Sequence, residues 1–447
     1  MNFILNKNYL IFTIFLILFS RYILINFFNN IPTEEQNLWQ ILSYDSLKNN
    51  LFESIFLNHA QPPLYNFIVG LIAKFSENIN EINLNIYYYN IILTCFLIYY
   101  LDKILIKLNL NHITKLIALF FVAFYPSIIY FENYPLYTHT SCFLLFQLSY
   151  FLINYFENYS KKYLIYIYLN CIALTQIWGA FHSILFLVII YILTFNRNLF
   201  KTHLTILIIA ILITNLPSIK NKIIFNFFGN SSWFGLNLAE SYSPEPQCSF
   251  YKNDEDLKFY NQKFKQKNIN NKYSFYYDYE ILNRTRGVSK FNNVAYIETS
   301  ILCKSIFFEK IKDNFIDYSL RRAIVLIASH TKFSFDYYNW HQPEISSYLK
   351  KMDILSRSDF IKKITLFLFF TLFYFLIFLN IIYFEKIKYK KFFISLFIIN
   401  IYFLFITTAF SGIEQNRMRY TFLITFILFL FYIIPNIFKI IKARVEN

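Results

Sequence analysis

Carboxylates, a histidine and a glutamine gather early in the chain. Glu34, Glu35, Trp39, Asp45, Glu53, His59, Gln61, Pro62 and Pro63 share one stretch that follows the first apolar run. A carboxylate in such a place could serve as general base toward an acceptor hydroxyl or amine; the alternative is a solvated acidic loop. The double proline sets the direction of the chain just before a helix, because proline is tolerated in a first helical turn. His59 and Gln61 are thereby held at a defined place.

Four further groups could do chemistry. Glu132, with Tyr125, Pro126, Tyr134, Pro135 and Tyr137, is either a short exposed turn or one wall of a cavity; a carboxylate between two spans is costly unless solvated or paired. Gln176, Trp178 and His182 interrupt an apolar run at Gly179, as hydrogen-bonded structure or as a binding group. Lys220, Asn221 and Lys222 precede Gly229, Asn230, Ser231, Ser232, Trp233, Phe234, Gly235, Leu236 and Asn237. There, glycine and serine would bring backbone and donors close to a ligand, and lysine could pair with phosphate. Arg284, Arg286, Gly287, Phe291 and Asn292 could join that surface. Finally, Gly412, Glu414, Asn416, Arg417, Arg419 and Tyr420 offer arginines suited to bidentate phosphate or carboxylate binding, with a Glu414–Arg417 ion pair as the structural alternative.

The elements that must position these residues are helices in a membrane. Of 447 residues, 56% are hydrophobic and 15% charged, where a soluble chain carries about 25% charged residues. Apolar blocks near 9–27, 84–105, 114–131, 136–156, 163–178, 179–195, 203–218, 361–384, 392–410 and 420–438 predict about ten spans of a ~30 Å hydrocarbon core. The expected fold is an all-α polytopic membrane protein. Three parts are expected: a transmembrane module over 1–218 with an external juxtamembrane loop 28–83, a hydrophilic external region over 219–360, and C-terminal transmembrane helices over 361–447. Within the loop, Leu64 to Phe75 is too short to span easily and reads as an interfacial or re-entrant helix. Tyr251 to Tyr273, rich in Lys and Asn, reads as loop.

Charge orients the spans. Lys103, Lys107 and Lys115, then Lys161 and Lys162, Arg197 and Lys201, Lys386 to Lys391, and Lys439, Lys442 and Arg444 fall in alternate connections, with Lys7 on their side. The positive-inside rule makes these cytoplasmic, with both termini, and leaves the candidate groups outside. Arg417 and Arg419 break the rule and call for another reason to be there. The run after Lys7 lacks a small-x-small cleavage site and reads as an uncleaved signal anchor. The net charge of +15 sits at helix ends and in one hydrophilic segment, so nucleic acid is not the expected partner. The five cysteines show no metal spacing, although Cys248 and Cys303 share the hydrophilic region and could pair.

Trp39-Gln40 with Leu42, His59-Ala60-Gln61-Pro62-Pro63-Leu64-Tyr65-Asn66, Tyr125-Pro126 with Glu132 and Tyr137, Phe181-His182, Lys220-Asn221, Ser231 to Asn237 and Glu414 to Arg419 occur in an order that resembles the GT-C superfamily of polytopic membrane glycosyltransferases, in particular its bacterial mannosyltransferase-like set. The His-x-Gln-Pro-Pro-Leu run is the most specific match. The resemblance implies a transferase that uses a polyprenyl-phosphate-linked sugar donor and a glycan, lipid or protein acceptor. Its active site would face the extracytoplasmic side of a bacterial inner membrane. It further implies a base among Glu34, Glu35 and Asp45, and donor or acceptor contacts from Trp39, His59, Gln61, Glu132, Tyr137, His182, Lys220, Asn221, Ser232, Trp233, Asn237, Glu414, Arg417 and Arg419. No ligand spacing demands a metal, though the first-loop carboxylates could hold a divalent ion. The position before Phe181, often arginine in relatives, is not arginine here.

Two other classes stay open. A transporter or flippase of lipid-linked saccharides predicts ionisable residues inside the spans, of which Arg21 is the clearest, and inverted repeats, of which none is evident. A non-catalytic component of envelope assembly would show no turnover.

Overall fold

The computed structural model describes residues 2–28, 41–134, 136–242, 248, 254–278, 292–331, 389–410, 423–433 and 435. Among them every regular element is helical. Glu34, Glu35, Trp39, Arg284, Arg286, Glu414, Arg417, Arg419 and the expected span 361–384 lie outside the described residues.

The chain opens with α1 (Asn2–Phe28). Three short helices follow in the juxtamembrane loop: α2 (Tyr44–Asn49), α3 (Leu51–Leu57) and α4 (Leu64–Lys74). Next come α5 (Ile79–Lys107), α6 (His112–Ala123), α7 (Pro126–Asn133), α8 (Tyr137–Asn158), α9 (Lys161–Ile177), α10 (Ser183–Thr194) and α11 (Phe200–Phe225). Side chains set several boundaries. Asn78 accepts from the Glu81 amide and caps α5, and Asn111 accepts from the Thr114 amide and caps α6. Pro126 ends the α6 hydrogen-bond ladder and starts α7, producing a 42° bend. The Gly179 turn separates α9 from α10 as expected, braced by Tyr402, whose hydroxyl accepts from the His182 amide at 3.0 Å.

Ile79–Lys107 and Arg197–Phe225 are long and apolar enough to cross a bilayer, and the bent pair makes a third if it forms one span. The expectation of about ten is met to that extent. The physical reasons differ by helix. α8 has the length, but Thr138, His139, Thr140, Ser141 and Ser149 are buried polar residues that lower its hydropathy. α10 has only 12 residues, and 420–438 runs beyond the described set.

Among the described residues, the connections after α5, α8 and α10 and the start of a later helix share one end of the bundle. Lys107 at the end of α5 pairs with Glu157 at the end of α8. Lys391, in α15 (Lys390–Phe410), donates to Tyr159 between α8 and α9 at 2.7 Å. The Tyr155 hydroxyl donates to the Thr194 carbonyl at 2.6 Å, which brings the α10–α11 connection to the same end. A last element, α16 (Leu423–Leu428), continues as a π-helical turn through Ile433.

The hydrophilic region expected to be external is helical too among its described residues. It contains α12 (Phe234–Tyr242), α13 (Asp254–Lys267) and α14 (Ala295–Thr331), the last broken at Asn314. α13 corrects the loop expected over 251–273. Acidic residues start it and lysines end it, as the helix dipole favours, and Leu257 and Phe264 are buried two turns apart. Lys267 then pairs with the buried Glu298 of α14 at 2.7 Å.

Cys248 and Cys303 form a disulfide, so the open question of their pairing closes in its favour. Disulfides persist in oxidising compartments, which fits an extracytoplasmic placement of this region. Thiol counting checks it: denatured, unreduced protein should take up three maleimide tags, on Cys95, Cys142 and Cys171, and reduced protein five. Five tags without reduction would refute the pairing.

Gly235 belongs to this packing and not to a ligand. A Cβ there would meet the Ser300 carbonyl oxygen at 1.9 Å, and the Gly235 amide donates to Ser300 Oγ at 2.8 Å. α12 and α14 cross at backbone contact. Gly235→Ala should therefore cost ~1–3 kcal/mol by overpacking, read as a lower melting temperature in detergent; an unchanged melting temperature would contradict the crossing.

Candidate functional site

The His-x-Gln-Pro-Pro run forms the turn between α3 and α4, and three segments distant in sequence close over it. The His59 amide donates to Asn292 Oδ1 at 2.9 Å, and the Ala60 amide reaches the same oxygen at 3.1 Å. Asn292 Nδ2 donates back to the Leu57 carbonyl at 2.9 Å. The Ser232 amide donates to the His59 carbonyl at 2.9 Å, and Ser231 Oγ to the Ala60 carbonyl at 2.6 Å. Lys220 Nζ donates to the Asn58 carbonyl at 2.5 Å. This seam joins the α3–α4 turn to the end of α11, the segment that follows it and the start of the stretch before α14.

His59 is buried at its centre. Nδ1 meets Ser232 Oγ at 2.9 Å, Phe225 packs edge-on at 4.8 Å, and Nε2 has no hydrogen-bond partner among the described residues. Burial, reinforced by the nearby Lys220 ammonium, pulls its pKa from the ordinary 6.5 down to about 3. A neutral imidazole so placed is a poor base, and the hydroxyl it holds is sealed from solvent. The sign for stability follows: as pH falls from 6.5 toward 3, the unfolded chain takes up a proton that the folded chain refuses. The protein should lose stability across that window, and His59→Phe should flatten the loss in melting temperature against pH; a profile equally steep in that variant would contradict this.

The seam brings together residues of two predicted groups, His59 and Gln61 with Lys220, Asn221, Ser232 and Trp233, and confirms Asn292 on the same surface. Lys220 is half-buried and makes no ion pair among the described residues. Asn221, however, serves the chain: its Nδ2 donates to the Gly229 carbonyl at 2.7 Å, closing the turn after α11. Ser232 and Trp233 are buried, so they hold the seam and do not face a ligand; Asn237 is half-buried on α12.

The remaining predicted residues sit elsewhere. Asp45 is exposed in the first turn of α2. Tyr137 is buried between Tyr65 and Trp178, with centroids 6.1 Å and 5.3 Å apart, and Phe403 meets Trp178 edge-on. His182 is exposed at the start of α10. Glu132 is neither an exposed turn nor a cavity wall. It is wholly buried and paired with Arg21, Nε to Oε2 at 2.7 Å and Nη2 to Oε1 at 3.2 Å. Thr94 Oγ1 donates to Oε1 at 2.6 Å, and Arg21 Nη2 donates to the Ala123 carbonyl, freed where α6 ends, at 2.7 Å.

No family model, curated protein or solved structure matches the chain. Among the described residues no three His, Cys, Asp or Glu side chains stand close enough to hold a metal ion; of the first-loop carboxylates that could hold one, Glu34 and Glu35 lie outside those residues. What sequence reasoning missed is the pairing of Arg21 with Glu132 and the role of Asn292 as the hub of the seam.

Proposed function

We propose that the chain is a membrane glycosyltransferase of GT-C type, moving a sugar from a polyprenyl-phosphate-linked donor to a cell-envelope acceptor on the extracytoplasmic side of a bacterial plasma membrane. The observation that supports this most is the seam. It places Lys220, an amine without a carboxylate partner among the described residues, beside the loop that follows the acidic stretch. Glu35, Glu34 or Asp45 takes the proton of an acceptor hydroxyl. The acceptor oxygen attacks the anomeric carbon, the bond from that carbon to phosphate oxygen breaks, and polyprenyl phosphate leaves. Arg417, Arg419 and Lys220 offset the charge that grows on the leaving phosphate. His59, Asn221, Ser232 and Trp233 position the loop and not the substrate.

Purified protein in nanodiscs should transfer labelled sugar from one of a panel of polyprenyl-phosphate hexoses, and Glu35→Gln and Arg417→Ala should abolish transfer. Full activity in both variants would sink the residue assignment. No turnover with any donor, while a partner co-purifies, would replace the enzyme with an assembly component.

The buried Arg21–Glu132 pair favours a second reading, a flippase of lipid-linked saccharides, because ionisable residues inside spans often mark a transport path. Scrambling of a fluorescent polyprenyl-phosphate saccharide in proteoliposomes, lost in Glu132→Gln, would select it.

A further inference from the structure

The hairpin of α3 and α4 is apolar on two sides. Its inner side is packed: Leu51, Leu57, Tyr65, Val69 and Ala73 are buried. Gly70 lets the hairpin close, since a Cβ there would meet Leu51 Cδ1 at 2.2 Å. The outer side is not packed. Phe52 is 74% exposed and Phe75 85% exposed, and Phe56 and Leu71 are exposed with them. Phe52 and Phe56 lie one turn apart on α3, and Leu71 and Phe75 one turn apart at the end of α4, so each pair makes one face. Glu53 is the exposed charged residue of α3; beside it, a patch of large apolar residues marks a partner surface.

The chain itself points to that partner. Four residues after Phe75, the exposed Ile79 opens α5, which is long and apolar enough to cross a bilayer. The exposed residues Tyr88, Ile92, Phe96 and Tyr99 continue along α5 at helical spacing, as a lipid-facing stripe does. The corner between α4 and α5 is polar and tied down. Asn85 Nδ2 donates to Ser76 Oγ at 2.9 Å, and Lys48 Nζ donates to the Ser76 carbonyl at 2.6 Å. Lys74 lies over the Phe52 ring at 5.9 Å, with its ammonium at the edge of the patch, the arrangement of a lysine that reaches up to lipid headgroups. At 7 and 11 residues, α3 and α4 are too short to cross.

We infer that the α3–α4 hairpin is a membrane-surface wedge, whose outer face, Phe52, Phe56, Leu71 and Phe75, inserts into the acyl–headgroup boundary of the bilayer that α5 crosses. The turn of this wedge is residues 58–63, so the lipid surface fixes the height of the His59 seam. The inference does not depend on the transferase reading.

Phe52→Trp and Phe75→Trp change an exposed ring for a larger one and leave the packed side alone. In full-length protein reconstituted in nanodiscs, the emission each variant adds over wild type should be quenched by lipids brominated near the headgroup end of the acyl chain and spared by aqueous iodide. Glu255→Trp, on the exposed face of α13, supplies the water-facing reference. Quenching by iodide, or by neither agent, would overturn the wedge; the second outcome would mean that protein, such as another copy of the chain, covers the patch. Loss of transferase activity plays no part in the readout.

Discussion

Glu132→Ala is expected to destabilise the bundle by about 3–5 kcal/mol, because it strands a buried arginine. That is a large share of the ~5–15 kcal/mol by which a typical protein is stable. Arg21 is 1% exposed. Without Glu132 its guanidinium keeps the Ala123 carbonyl and Ser20 Oγ at 3.1 Å, but no counter-charge among the described residues. Thr94 Oγ1 loses its shortest contact at the same time and keeps the Asn90 carbonyl at 3.3 Å. Arg21→Ala should cost a similar amount from the other side, since a carboxylate in an apolar environment must be protonated or desolvated. The double change Arg21→Met with Glu132→Leu removes both charges and both desolvation penalties, so it should recover most of the loss. Apparent melting temperatures of the four proteins in one detergent test this cycle. A Glu132→Ala variant as stable as wild type, or a double variant worse than either single one, would show that the pair is not a closed clamp. The same cycle separates the two functional readings. A clamp tolerates the apolar double replacement in every assay, whereas a transport path through Glu132 does not.

That pair also shows where a single sequence stops. Glu132 and Arg21 are each conspicuous as ionisable residues in or beside apolar runs, but 111 residues separate them, and nothing local to either names the other. The turn at Gly179 was legible. The caps at Asn78 and Asn111 were not, nor was the break at Pro126, which bends the block expected as one span over 114–131. α13 was not legible because its apolar period of Leu257 and Phe264 is sparse against many lysines and asparagines. Gly235 was conspicuous for the right reason, close backbone approach, but the approaching group is the Ser300 carbonyl and not a ligand. The seam was half legible. The uncommon His-x-Gln-Pro-Pro and Ser-Ser-Trp runs marked its two sides. Asn292, one of many asparagines in this chain, carried no mark of its role beyond proximity to Gly287 and Phe291.

Asn292→Ala should open the seam that the proposed activity depends on. Asn292 is 1% exposed, and its one side chain holds three backbone groups of residues 57–60. Their stakes are unequal. The Ala60 amide keeps a second acceptor in Asn58 Oδ1 at 3.2 Å, so it is covered in the variant. The His59 amide and the Leu57 carbonyl lose the contacts described above, and a buried backbone group left unpaired costs about 1–3 kcal/mol. Because the groups belong to a turn between two short helices, the loss should appear locally before it appears globally. Amide exchange over 57–61 and 231–233 should speed up well beyond any change in α5 or α8. Asn292→Asp supplies the control. It keeps the acceptor for His59 but turns a donor toward Leu57 into a second oxygen, so it should protect the His59 amide while still loosening Leu57. Equal protection of 57–61 in wild type and Asn292→Ala would remove Asn292 as the hub. Faster exchange there with transfer unaffected would keep the hub and separate the seam from the reaction.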